Sequence, residues 1–306
     1  MLNKQIVQSA LQKIKEKHQE ADNLAYTFFE KAMQNDEFKE NFRQIKQAEM
    51  ENAKAEVYGQ PLAYDLPKLY SKQEKILNQI GIEPKAISPH YTCTKCDDTG
   101  YVNGLICSCL KHEINNILYE KSGLAKVRNN NFKSCDFNIF DDAQKTKKLY
   151  VLLENWCKKD NGYLNVLLIG KTGAGKTYLM QCMANKLIES ESIVYFTSAF
   201  EMNQNLLKYH TTFDETKADN IALLLEPDYL FIDDLGTEPL LKNVTVEGMY
   251  NVISERMRNN KKTVISTNLS PKQIQDYYGD RVFSRLLCQT SSLVLNVENS
   301  DLRLKK

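Results

Sequence analysis

Apolar residues recur at three- and four-residue spacing over the first 57 positions, at Ile6, Ala10, Leu11 and Ile14 and again at Leu24, Phe28 and Phe29. Set among many Lys, Glu, Gln and Ala residues, that period predicts helices with one buried face from Leu2 to about Val57. Gly59-Gln60-Pro61 and Asp65-Leu66-Pro67 interrupt it, and a shorter helix is expected over Lys68 to Ile80, stopped by Gly81 and Pro84. Another helix, from Leu110 to Ser122, should end at Gly123, with Asn129-Asn130-Asn131 marking a domain boundary. Beyond that boundary the pattern changes. Apolar runs of strand length recur at Tyr163–Ile169, Ser192–Thr197, Asp228–Asp233, Lys262–Asn268 and Ser291–Val297, with helical stretches between them. This alternation predicts an α/β domain built on a parallel five-stranded sheet covered on both faces.

The first of those strands runs directly into Gly170-Lys171-Thr172-Gly173-Ala174-Gly175-Lys176-Thr177, which fits the phosphate-binding pattern G-x-x-x-x-G-K-[ST] at every specified position, and a helix from Lys176 to Ile188 follows. Glycines let backbone N–H groups turn inward around phosphates, and the helix N-terminus adds its positive dipole end. Lys176 would reach the β- and γ-phosphates, and the Thr177 hydroxyl would ligate Mg²⁺. Gly170, Thr172, Gly173, Ala174, Gly175, Lys176, Thr177 and Tyr178 are therefore the candidate ATP contacts. Tyr229-Leu230-Phe231-Ile232-Asp233-Asp234 is an apolar strand ending in two carboxylates, and strand ends of an open α/β sheet are where ligands bind. Asp233 would hold Mg²⁺ through water, and Asp234 would orient or deprotonate the attacking water. Asn268, at the end of Thr263-Val264-Ile265-Ser266-Thr267-Asn268, would position that water from the neighbouring strand.

Cysteine spacing adds a second candidate centre. Cys93-x-x-Cys96 and Cys107-x-Cys109 flank a turn at Asp97–Tyr101, the ligand set of a closed structural zinc site. Because the second pair is C-x-C, His112 or His90 is an alternative for one ligand. Cys135, Cys157, Cys182 and Cys288 stand singly, as core or surface thiols do. Net charge is +1, from 40 basic and 39 acidic residues, so nucleic-acid contact would need a local patch. There is no run of 18 apolar residues and the N-terminus is charged, from which a cytoplasmic protein without membrane contact is expected.

The region from about Asn131 to Lys306 resembles an AAA+ ATPase. The resemblance makes Asn268 a sensor 1 residue and Gly279-Asp280-Arg281-Val282-Phe283-Ser284-Arg285-Leu286 the arginine-finger segment, with Arg285 preferred and Arg281 second. It places Arg303, in Ser300-Asp301-Leu302-Arg303, near a sensor 2 position, although Asn299 stands where the fuller pattern has Gly. Nine residues follow Val297, which implies no helical lid. A helical module (1–88), a zinc module with linker helix (89–130) and a lidless ATPase domain (131–306) together resemble the bacterial and phage helicase loaders of the DnaC and DnaI type. That resemblance implies a hexameric replicative helicase and single-stranded DNA as partners, self-association through the ATP site, and DNA contacts from Phe200, Lys208 and Tyr209. The alternatives are a transposition helper ATPase of the IstB type, acting on duplex DNA, and a nucleotide-gated adaptor with negligible hydrolysis, since Asp234 stands where Glu is more usual.

Overall fold

The computed structural model describes residues 3–122, 129–158, 162–214, 216–241 and 243–304. Leu2 and Gly123, expected at helix ends, lie outside that set. The chain divides into two compact units, one of Gln12–Cys107 and one of the residues up to Leu11 with those from Ser108 onward.

In the unit Gln12–Cys107, the rest of helix α1 (Lys4–Met33) is followed by α2 (Asp36–Val57) and α3 (Leu66–Gln79). The helices start where capping side chains satisfy free amides: Asn35 accepts from the Phe38 N–H and Asp65 from that of Lys68, with Pro67 in the first turn of α3. Ala32, Phe38, Ile76, Leu77 and Ile82 form the core, edged by Phe28, Phe29 and Phe42. Leu24, on the predicted apolar stripe, is instead 61% exposed. A small hairpin, β1 (Tyr101–Val102) and β2 (Leu105–Ile106), ends this unit.

The larger unit continues with α4 (Ser108–Lys121), α5 (Ala143–Lys158), β3 (Asn165–Ile169), α6 (Lys176–Glu189), β4 (Val194–Ser198), α7 (Ala199–Thr211) and α8 (Lys217–Leu225). It closes with β5 (Tyr229–Leu235), α9 (Thr245–Arg258), β6 (Lys262–Thr267), α10 (Pro271–Leu286) and β7 (Ser292–Asn296). The five strands pair in parallel in the order β4-β5-β6-β3-β7, the parallel five-stranded sheet expected from the alternation. Reciprocal capping boxes start α7 (Ser198 with Glu201) and α10 (Ser270 with Gln273). One face of the sheet packs Val166, Leu168, Phe196, Phe231 and Val264 against Leu153, Trp156, Leu179 and Met183 of the covering helices. The edge strand β4 is pinned by Asn115 of α4, which donates to Ser192 O at 2.7 Å and accepts from the Val194 N–H at 3.0 Å.

Arg256 of α9 is fully buried, and its guanidinium donates to the carbonyls of Leu224, Leu225, Pro227, Asp228 and Lys262 and to the Thr263 hydroxyl. Burial pulls its pKa down to about 9, which leaves it charged at neutral pH. It thus gathers the carbonyls where α8 turns into β5, that of Asp228 also accepting from the Lys262 N–H at 3.0 Å. Arg256→Ala orphans several buried acceptors at once and should cost about 3–5 kcal/mol of stability, read as a fall in the denaturation midpoint with an unchanged denaturant slope.

Candidate functional site

The loop between β3 and α6 holds its shape through two glycines with left-handed backbone, Gly173 (φ 76) and Gly175 (φ 93), the latter capping α6. The segment after β7 lies directly on it. Leu302 N–H donates to Gly173 O at 3.0 Å, Asn299 Nδ2 to Ala174 O at 3.3 Å, and the Asp301 carboxylate rests against Gly173, where a Cβ would overlap it. Ser300 in turn donates from both its amide and its hydroxyl to Asp141.

Lys176 is 4% exposed, and its ammonium donates to Gly170 O (2.8 Å), Lys171 O (3.0 Å) and Asn268 Oδ1 (2.7 Å). Burial holds its pKa below the usual lysine range, opposed by the charges of Asp234 and Asp233. Asn268 also donates to the Thr172 hydroxyl at 3.3 Å, so its amide bridges the loop and the end of β6. Asp233 accepts from Thr177 Oγ1 at 3.2 Å and from Ser266 Oγ at 2.5 Å. Burial raises its pKa, and the neighbouring Asp234 adds to that. A hydroxyl and a carboxylate this close are a hard-oxygen donor pair suited to Mg²⁺.

Thr172, Gly173, Ala174, Gly175, Lys176, Thr177, Tyr178, Asp234 and Arg303 all line one cavity of about 520 Å³. Its other wall comes from residues that the motif search does not single out: Cys135, Ile139, Phe140 and Tyr150. Phe140 and Tyr150 are buried and meet edge to face with ring centroids 5.9 Å apart, giving an apolar, aromatic wall of the kind that takes a nucleobase. These residues precede the phosphate loop by 20 to 40 positions and carry no spacing pattern that points to it.

Arg281 and Arg285 do not line this cavity. They follow Gly279, whose φ of 78 and ψ of 170 break α10, and both guanidiniums stand 5.9 Å from the ring of Tyr250 on α9. The shared face expected from their spacing is present, directed at Tyr250. On α7, Phe200 is 52% and Tyr209 37% exposed, and Lys208 is exposed beside them. Lys217 lies over both Tyr209 (5.0 Å) and Phe213 (5.4 Å), adding a cation and an aromatic ring to that group.

The sulfurs of Cys93, Cys96, Cys107 and Cys109 lie within 4.8 Å of one another, with Cys93 and Cys107 3.8 Å apart. Four sulfurs about 2.3 Å from a tetrahedral zinc would be separated by about 3.8 Å, so the donor set fits that ion. Neither histidine belongs to the group; His90 bonds Lys85 O at 2.9 Å. Asp98 builds the turn, accepting from the Thr92 and Cys93 N–H groups at 2.7 and 2.9 Å, and the Gly100 N–H points at the Cys96 sulfur at 3.4 Å.

Residues 117–306 match the model of the family described as IstB-like ATP binding protein. The chain is 30% identical over 114 residues to the replicative helicase loader DnaI of Bacillus subtilis (strain 168), an alignment covering 36% of this chain and 35% of the relative. It is 30% identical over 164 residues to the chromosomal replication initiator protein DnaA of Wolinella succinogenes, covering 50% and 35%. The chain thus spans about a third of the length of these two relatives. Among solved structures, the crystal structure of the DnaC helicase loader is similar with a TM-score of 0.46 and 23% identity, over 56% of this chain and 99% of that one.

Gly173→Ala combines a left-handed backbone with overlap on Asp301, so it should lift residues 299–303 off the loop. Limited proteolysis is expected to cleave that segment faster in the variant, and nucleotide affinity should fall by about 5- to 30-fold, the equivalent of the 1–2 kcal/mol strain of one misplaced L-residue.

Proposed function

Because the chain belongs to the family of IstB-like ATP binding proteins, we propose that it is an AAA+ ATPase that helps place a hexameric replicative helicase on single-stranded DNA. The observation that carries the catalytic half of this reading is the convergence of Lys176, Thr177, Asp233, Asp234 and Asn268 beside a cavity with an apolar wall. Backbone N–H groups of the loop bind the phosphates and Lys176 neutralises them. Mg²⁺, held by Thr177 and Asp233, would supply positive charge to the β- and γ-phosphate oxygens. Asp234 accepts the proton of the attacking water, and Asn268 orients that water while remaining tied to Lys176. Arg303 contacts the phosphates of its own subunit, whereas Arg285, or Arg281, reaches the nucleotide of an adjacent copy, so hydrolysis waits on self-association.

The loader half rests on likeness to a helicase loader and on module organisation: residues 1–88 dock the helicase, 89–130 hold a structural zinc at Cys93, Cys96, Cys107 and Cys109, and 131–306 hydrolyse ATP. Exposed Phe200, with Tyr209 and Lys208, stacks bases and contacts phosphates of the DNA strand. The setting would be the cytoplasm; among the described residues no helix is long and apolar enough to cross a membrane. A second reading, a transposition helper acting on duplex DNA, is favoured by the family description itself. Co-purification with the replicative helicase of the same host, in ATP and in ADP, separates the two: a nucleotide-dependent complex supports the loader, and duplex DNA binding without a complex supports the helper.

Lys176→Ala removes a charge-assisted contact of about 2–3 kcal/mol and should weaken ATP binding roughly 100-fold; unchanged affinity by fluorescent-nucleotide titration would discard the phosphate-loop assignment. Chelation should unfold residues 90–112 while nucleotide binding persists, and metal analysis of native protein is expected to find one zinc per chain. Arg285→Ala should keep ATP affinity and lose turnover in the assembled state, with full activity transferring the role to Arg281.

A further inference from the structure

β5 and β6 pair regularly from Tyr229–Lys262 to Ile232–Ile265, then slip: the next paired residues are Leu235 and Thr267. Two residues, Asp233 and Asp234, therefore stand opposite one, Ser266. This is a β-bulge, and bulges re-aim side chains at the ends of strands. Asp234 occupies the left-handed region (φ 54), uncommon for a residue with a side chain. Ser266 is fully buried, and its single hydroxyl makes two contacts across the slip. It donates to Asp233 Oδ1 at 2.5 Å and accepts from the Asp234 N–H at 2.9 Å. Next to it, Thr267 Oγ1 donates to Leu235 O at 2.7 Å, closing the far side of the bulge.

We infer that Ser266 is the positioning residue of the hydrolytic site, the group that fixes both carboxylates through one hydroxyl. A hydroxyl has one proton and two lone pairs, so it can face a carboxylate and a peptide N–H at once; Ala can face neither. Without it Asp234 keeps its strained backbone but loses the bond that holds its peptide plane, and Asp233 loses the partner opposite Thr177. Spacing could not reveal this role, because a serine inside an apolar strand reads as a tolerated small residue.

The inference rests on the proposed ATPase reading, and the test separates the two. ATP turnover, and mant-ATP affinity with and without Mg²⁺, are measured for the full chain, for Ser266→Ala and for Ser266→Thr. Ser266→Ala should lower kcat by about 10- to 100-fold, the usual effect of removing a partner that orients a ligand. It should leave Mg²⁺-free mant-ATP affinity within about twofold, since Lys176 and the loop are untouched, while the gain in affinity that Mg²⁺ brings shrinks. Ser266→Thr, which keeps the hydroxyl, should recover most of the rate. In an Asp234→Asn background the kcat effect of Ser266→Ala should nearly vanish while the Mg²⁺ effect stays, a non-additivity that general loosening of the fold would not produce. Equal kcat in Ser266→Ala and the parent, or full additivity with Asp234→Asn, overturns the inference. Absence of turnover and of mant-ATP binding in the parent would overturn the ATPase reading instead.

Discussion

Parallel pairing of β3 with β6 on one side and β7 on the other is the constraint on which the site depends. Ile169 is level with Thr267 of β6 and with Asn296 of β7, so three chain segments leave the sheet at the same height. Hydrogen bonds continue past the strands: the Gly170 N–H donates to Thr267 O at 3.1 Å and the Val297 N–H to Ile169 O at 2.7 Å. Gly170 has no room for a Cβ beside the Val297 carbonyl. One register therefore delivers the phosphate loop, Asn268 and the segment ending at Arg303 to a single place.

That place is electrostatically costly, and the structure shows how the cost is distributed. A lysine and a carboxylate are both removed from water, and burial acts against the charged form of each: Lys176 is pulled down and Asp233 pushed up. The compensations are local. Lys176 has three oxygen acceptors, and Asp233 has two hydroxyl donors. Ser266 and Asn268 supply one partner each from β6 and its end, so the strand beside the phosphate loop serves the buried charges on both of its neighbours.

Much of this was legible from periodicity and motif. Strand bounds differ from the predicted runs by one or two residues at most ends, because β-branched and aromatic residues between turn formers leave little choice of where a strand sits. The glycine pattern identified the loop because its backbone conformation excludes other residues. Four closely spaced cysteines identified a cluster because each pair must turn tightly to aim both sulfurs inward. The wall formed by Phe140 and Tyr150 was not legible: an aromatic that covers a base and an aromatic that fills a core have the same chemistry, and these two are both buried. The same holds for Ser266 and Asp301, ordinary residues whose role comes from what stands opposite them.

Local chemistry, then, suffices for what is local: where helices start and stop, which strand carries the two aspartates, and which loop is shaped for phosphate. Those outcomes depend on backbone preferences and side-chain spacing over a few residues. Whether Arg281 and Arg285 face the cavity or Tyr250, how a two-for-one slip aims Asp234, and how residues 297–303 come to lie on a loop more than 120 positions earlier depend on strand order and register. Register is a long-range property, set by the packing of the whole sheet, and no window along the chain contains it.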